Sequence, residues 1–279
     1  MNFTDKLKKA VSASRSTVCV GLDPNLDLLP RAIKKEHLSD TKSVEKFLSK
    51  VIDATAEHCA AYKPNLGFFE ALGADGWDTF ETVLDYIPDE KVIIADAKRG
   101  DISSTAEHYA KAFFEQFAVD AITLNPLMGF ETLDPFLNQP NKGVYVLTLT
   151  SNAGASDILK KQIANGPTIS NYIASKLRDK QANSPTAIGM VVGATQAKEL
   201  ESVITEFPQS PLLIPGVGKQ GGSVNELADA LQGHAGIPLV NSSRSIIYAG
   251  STNPHWEQSV AESALILKER LAPITERYV

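Results

Sequence analysis

The densest chemistry in the chain is the run Asp96-Ala97-Lys98-Arg99-Gly100-Asp101. Side chains alternate along a strand, so Asp96 and Lys98 are expected to face one way, about 7 Å apart, with Ala97 facing the other. Lys63, which closes an earlier apolar run, can join them from a neighbouring strand. An aspartate between two lysines stays ionised, and the lysines stay protonated, by mutual stabilisation. An ammonium held in that way is a proton donor. A fixed carboxylate beside it repels a substrate carboxylate and favours its departure as carbon dioxide. The bland alternative is a buried salt-bridge cluster that only holds strands together.

A second signal is Pro215-Gly216-Val217-Gly218-Lys219-Gln220-Gly221-Gly222, with four glycines in seven residues. Glycine lets backbone N–H groups approach an anion closely. Arg244, in Asn241-Ser242-Ser243-Arg244-Ser245, would add a forked, charged partner for a phosphate. Flexible turns also use glycine, so the loop gains weight only beside the arginine. Ser151 can hydrogen-bond a polar ring or cap a loop, and Asn125 before Pro126 reads first as a turn residue. The five histidines have no metal-ligand spacing and no H-E-x-x-H pattern. Nucleophilic serine chemistry lacks a G-x-S-x-G elbow. No metal site is expected. Trp77 and Trp256 fall in predicted helices and are expected to pack.

These residues need elements to position them. Short apolar, β-branched runs alternate with segments of helical period. The strands read as Thr17–Leu22, Ala60–Lys63, Val92–Ala97, Ala121–Leu124, Val144–Thr150, Ala187–Val192, Leu212–Ile214 and Leu239–Asn241. Between them the helices read as Val44–His58, Asp75–Ile87, Ser103–Phe117, Glu131–Leu137, Pro167–Asp179, Ala197–Phe207, Val224–Leu231 and His255–Leu271. The serines at 103 and 104 suit an N-cap, and Pro167 suits a first turn. Ser151–Gly166 is the longest irregular piece. Strand–helix alternation implies parallel strands with right-handed crossovers. Eight units in 279 residues, about 35 each, predict an α/β fold: a (β/α)8 barrel forming a single domain over residues 1–279. An open doubly wound sheet would need a glycine-rich turn after the first strand, where Gly21-Leu22-Asp23-Pro24-Asn25 stands instead. Barrel active sites form at the carboxyl ends of the strands, and Asp23, Lys63, Asp96, Asn125, Ser151 and Arg244 all sit there.

Composition narrows the function classes. The chain is 43% hydrophobic and 22% charged, enough apolar content for a large core and against intrinsic disorder. With 27 basic against 33 acidic side chains the net charge is −6, which opposes a basic nucleic-acid surface. No apolar run approaches a membrane span, and the first residues lack a secretory h-region. Two cysteines, Cys19 and Cys59, are too few for a disulfide scaffold and fit a reducing cytoplasm as small buried hydrophobes.

The segment Asp96-Ala97-Lys98-Arg99-Gly100-Asp101-Ile102 resembles the D-x-K-x-x-D-I motif of the orotidine 5'-phosphate decarboxylases, in the K-R-G-D-I form of the longer bacterial branch. The resemblance runs through Leu22-Asp23, Lys63, Asn125-Pro126, Ser151, the P-G-V-G-x-Q-G-G loop and Ser243-Arg244-Ser245-Ile246. Leu127 departs from it, since an aromatic is expected there. The resemblance implies conversion of orotidine 5'-phosphate to UMP and carbon dioxide, the last step of de novo pyrimidine synthesis, with no metal or organic cofactor. By position, Lys98 resembles the proton donor to C6 and Asp96 the carboxylate beside the departing group. Lys63 would hold that aspartate and touch the ribose. Asp101 resembles the fourth charged member, which in this family comes from the partner subunit, so a homodimer is implied and Thr105 would accompany Asp101. Asp23 resembles a ribose-hydroxyl acceptor and Ser151 the reader of the pyrimidine amide. Gln220 resembles a bridge between ring and phosphate on a closing loop, with Gly218 in that loop. Ser243 and Arg244 belong to the phosphate end, Arg244 as the anchor. Asn125 joins the substrate-binding set. Two other readings stay open. A related phosphosugar decarboxylase or aldolase-type barrel would use a divalent metal, and a non-catalytic phosphate-ligand binding protein would have no evident need for alternating charges.

Overall fold

The computed structural model describes residues 1–193, 197–216 and 224–279. Its strands are β1 (Val18–Leu22), β2 (Ala61–Pro64), β3 (Val92–Arg99), β4 (Ala121–Leu124), β5 (Gly143–Leu149), β6 (Ala187–Val192), β7 (Leu212–Pro215) and β8 (Pro238–Ser242). They are hydrogen-bonded in chain order into a closed barrel, and each pair with a described register is parallel. The (β/α)8 expectation holds, with strand bounds within two residues of those read from sequence. That agreement follows from burial. Every residue of β1, β2, β4 and β8 is buried, so burial does not alternate along them, as expected of parallel strands covered on both faces.

The helices depart from expectation mostly at their ends. Phe3–Ser14, unread in the sequence, is a helix whose Phe3, Leu7, Ala10 and Val11 are buried at helical spacing. The Ser103–Lys111 helix has Ile102 at its N-cap and no side-chain cap, so the expected serine cap does not form. Ser103 itself takes a left-handed φ of 49°, which is incompatible with an N-cap serine in extended geometry. The rest of that predicted helix is a π-turn, Ala112–Gln116. Pro167 does not open the next helix; Thr168 caps Ile169–Gln181 by accepting the Asn171 N–H at 3.2 Å. The segment after β4 is a 3-10 helix, Phe130–Phe136, with Pro135 inside it. A 3-10 turn, Ala153–Asp157, lies within the stretch expected to be irregular.

The chain divides into two compact units, Met1–Lys8 with Lys98–Val240 and Lys9–Ala97 with Asn241–Val279. In the second, Phe47 stacks on Tyr248 at 5.4 Å and lies 5.6 Å from Trp256, the packing role expected of that tryptophan. Cys19 and Cys59 are free and buried there, as expected. In the first, Phe3 meets Tyr145 edge-on and Lys6 pairs with Asp120 at 2.8 Å, contacts that anchor the start of the N-terminal helix. Among the described residues no helix is long and apolar enough to cross a membrane.

Candidate active site

In the unit carrying β1, β2 and most of β3, the register sets the chemistry. Ala61 pairs with Val92 and Tyr62 with Ile93, and an isolated bridge joins Asn65 to Asp96. The Lys63 ammonium therefore reaches Asp96, with Nζ 2.5 Å from Oδ2. Both side chains are buried, at 5% and 9% exposure. Burial opposes charge on Lys63, but attraction to Asp96 and Asp23, with the Asp96 hydrogen bond, outweighs it and raises the lysine's pKa. Cys19 lies in the same field, and burial pushes its thiol far up, so it is an inert neighbour and no nucleophile.

Asp23 is half-buried, and its Oδ1 is buried without a hydrogen-bond partner. The backbone around it is tied down. Tyr248 Oη donates to the Asp23 carbonyl at 2.8 Å and accepts the Asn25 N–H at 2.5 Å. Burial raises the Tyr248 pKa to about 12, so the phenol keeps the proton this arrangement needs. Asn241 was not singled out from sequence. It is buried, and its Oδ1 also lacks a partner. A Cβ on Gly21 would collide with Ser243 Oγ and come within 3.2 Å of Asn241 Oδ1, so only glycine fits in β1 at that point. Buried acceptors are normally hydrogen-bonded, so two without donors at the ends of neighbouring strands call for a polar partner. The sequence signal was available: an amide inside an apolar strand. Ser243 is half-buried at the N-cap of Arg244–Ile247, and Arg244 is exposed.

The long segment of the other unit opens at Lys98. Its backbone takes a left-handed φ of 47°, rare for a residue with a Cβ. Lys98 is exposed at the end of β3. The Lys98 N–H donates to Thr123 Oγ1 at 2.9 Å, and the Arg99 carbonyl accepts the Asn125 N–H at 2.8 Å. The Arg99 guanidinium lies 5.2 Å from the Tyr109 ring centre. Asn125 Oδ1 accepts the Leu127 N–H at 3.0 Å, the turn role read from sequence. Asp101 is half-buried, and its Oδ1 accepts the Ile102 N–H at 2.8 Å. Thr105 is exposed on its helix. Ser151 is half-buried past β5, and a Cβ on Gly193 would lie 2.8 Å from its Cβ, so the ends of β5 and β6 meet there at glycine distance. Gly218 and Gln220 lie outside the described residues. Among the described residues, no group of three or more His, Cys, Asp or Glu side chains is placed to hold a metal ion.

Comparison with known proteins gives a consistent result. The family model described as orotidine 5'-phosphate decarboxylase / HUMPS family matches residues 16–258. A protein of Herpetosiphon aurantiacus named orotidine 5'-phosphate decarboxylase is 41% identical over 272 residues, covering 96% of this chain and 98% of that one. One of the same name from Porphyromonas gingivalis is 38% identical, covering 95% of each. The solved structure of Leishmania donovani OMP decarboxylase superposes with a TM-score of 0.82 at 30% identity, covering 99% of both chains.

Proposed function

The chain belongs to the orotidine 5'-phosphate decarboxylase / HUMPS family, and from that premise we propose how its own residues perform the decarboxylation of orotidine 5'-phosphate to UMP and carbon dioxide. The observation that carries the reading is the buried Lys63–Asp96 pair at the ends of β2 and β3, with Lys98 two residues beyond. A buried ion pair is poor value as a strand fastener, because desolvation offsets most of its attraction. Its place in the chain makes sense if the charges serve a reaction.

When the C6 carboxylate leaves as carbon dioxide, the bonding electron pair stays on C6. No ring position delocalises that charge well, so a nearby fixed cation must stabilise it. In this reading Asp96 faces the departing carboxylate, and Lys63 keeps Asp96 ionised and oriented. The Lys98 ammonium stabilises the developing carbanion and then gives its proton to C6, leaving a neutral amine that solvent reprotonates. Asp23 accepts from a ribose hydroxyl, and its partnerless Oδ1 supports that role. Ser151 and Asn125 serve the base end. Ser243 and Arg244, with Gly218 and Gln220, serve the phosphate end, whose binding energy is spent on organising the charged array.

We place the whole chain in one barrel domain that works as a homodimer, with Asp101 and Thr105 completing the partner's array. Exposed apolar side chains flanking that segment support the assembly: Ile102, Leu127 and Met128 are 52%, 71% and 54% exposed. Leu127, where an aromatic was expected, would then serve this surface. The two free cysteines support a cytoplasmic setting, and the acidic balance a small-molecule partner and no polyanion.

The test is loss of orotidylate absorbance in excess chelator. Full activity supports the charge-array mechanism; activity lost and restored by magnesium would replace it with metal-assisted chemistry. Lys98→Ala, with circular dichroism unchanged, is expected to abolish turnover. Substantial residual turnover removes Lys98 from the donor role.

A further inference from the structure

We infer that Thr123 is a positioning residue for Lys98: its hydroxyl accepts the Lys98 N–H and holds the end of β3 in the left-handed turn that sets where the ammonium stands. The inference rests on the proposed donor role of Lys98 and extends it to a residue on another strand. Three observations carry it. Lys98 sits at φ 47°, a conformation that persists in a residue with a Cβ only where its surroundings over-determine it. Its N–H donates to a side chain, Thr123 Oγ1, at 2.9 Å, and Thr123 is 1% exposed inside β4. The neighbouring chain is fixed independently. The Arg99 carbonyl accepts the Asn125 N–H at 2.8 Å, and Gly100 lies so close that a Cβ there would come within 2.5 Å of the Asn125 carbonyl oxygen.

The residues after Lys98 are thus docked on β4 by backbone contacts, and the Thr123 hydroxyl ties the Lys98 N–H to the same strand. Remove the acceptor and the Lys98 N–H must find another partner. The simplest way is for the backbone to relax towards extended geometry, which swings the side chain. Catalysis by a positioned group is sensitive to such shifts, with a displacement of about 1 Å costing on the order of 100-fold. Thr123 is isosteric with valine, so the hydroxyl can be deleted without leaving a cavity.

The experiment compares Thr123→Val, Thr123→Ser and Lys98→Ala by steady-state kinetics, UMP affinity and thermal melting. Thr123→Val is expected to lower kcat by about 10- to 100-fold, with KM and UMP affinity within about threefold of wild type. Thr123→Ser, which keeps the acceptor, is expected to recover most of the kcat. A wild-type kcat in folded Thr123→Val overturns the inference, as does a serine variant as impaired as the valine one. If the valine variant does not fold, Thr123→Cys, a poor acceptor of serine's shape, takes its place under the same criteria. Substantial turnover in Lys98→Ala overturns the donor reading itself. Inactive Lys98→Ala beside fully active Thr123→Val overturns only the role of Thr123.

Discussion

Lys63 shows how one residue can be read for both stability and chemistry. Its ammonium is buried against Asp96. Replacing it with methionine leaves a buried carboxylate without its cation, which costs about 3–5 kcal/mol when such pairs are broken. Replacing both partners, as in Lys63→Met with Asp96→Leu, should cost less than Lys63→Met alone, because no charge is stranded. Additive losses in urea denaturation would show that the two side chains act independently. The pH dependence has a definite sign. The folded-state pKa of Lys63 is raised, so its contribution is complete below the ordinary lysine value and is lost only as pH rises through the raised one. The stability gap between wild type and Lys63→Met should therefore hold at neutral pH and narrow only in strongly alkaline solution. At this scale the sequence revealed residue types well and backbone angles less well. Asp96, Lys63 and Asp23 were legible because charge at the end of an apolar strand is conspicuous. The left-handed φ of Lys98 was not, since nothing in the string A-K-R-G marks lysine rather than glycine as the turning residue. Asn241 was visible as an amide in an apolar strand but was overshadowed by the arginine three residues on.

The elements were legible where burial makes the pattern. β4 and β6 were read residue for residue, because Ala121–Leu124 and Ala187–Val192 are mostly apolar runs bounded by Asp120 and Asn125 and by Thr186 and Gly193. Helix ends were less legible, since capping depends on backbone angles as much as on residue type. Pro167 satisfied a first-turn rule, yet Thr168 one residue later makes the actual cap. One connection carries a testable titration. His234, between the Val224–Ala230 helix and β8, is buried, and its Nε2–H donates to the Ser210 carbonyl at 2.9 Å. Burial lowers its pKa below 6.5, and the Ser210 bond only partly opposes this. The unfolded chain takes up a proton on this histidine before the folded one does. Stability from His234 is therefore present above the ordinary histidine value and declines as pH falls below it. On going from neutral pH to about pH 5.5, wild type should lose more stability than His234→Gln, whose amide can still donate to Ser210. Equal losses would assign the acid sensitivity to other groups.

At the scale of the whole molecule, a net charge of −6 is a surface average that does not decide what the protein binds. In the proposed reading the decision is local, made by Lys63, Lys98 and Arg244 at their strand ends in a chain with excess acid. The same logic of placement bears on assembly. Asp101 lies beyond β3, three residues past Lys98, and the exposed apolar Ile102 follows it. If each site takes Lys98 from one subunit and Asp101 from the other, two inactive variants can rescue each other. A dimer of Lys98→Ala with Asp101→Ala contains one site missing both groups and one site with both native. Random exchange makes about half of the dimers hybrid, each with one working site of two, so about a quarter of wild-type activity should return. Each variant alone should stay inactive at any concentration, and recovery should follow the rate of subunit exchange, which differently tagged chains can report. Recovery in step with exchange would place Asp101 in the partner's site. Proven exchange without recovery would confine each site to one chain, and Asp101 would then act beside the Lys98 of its own strand.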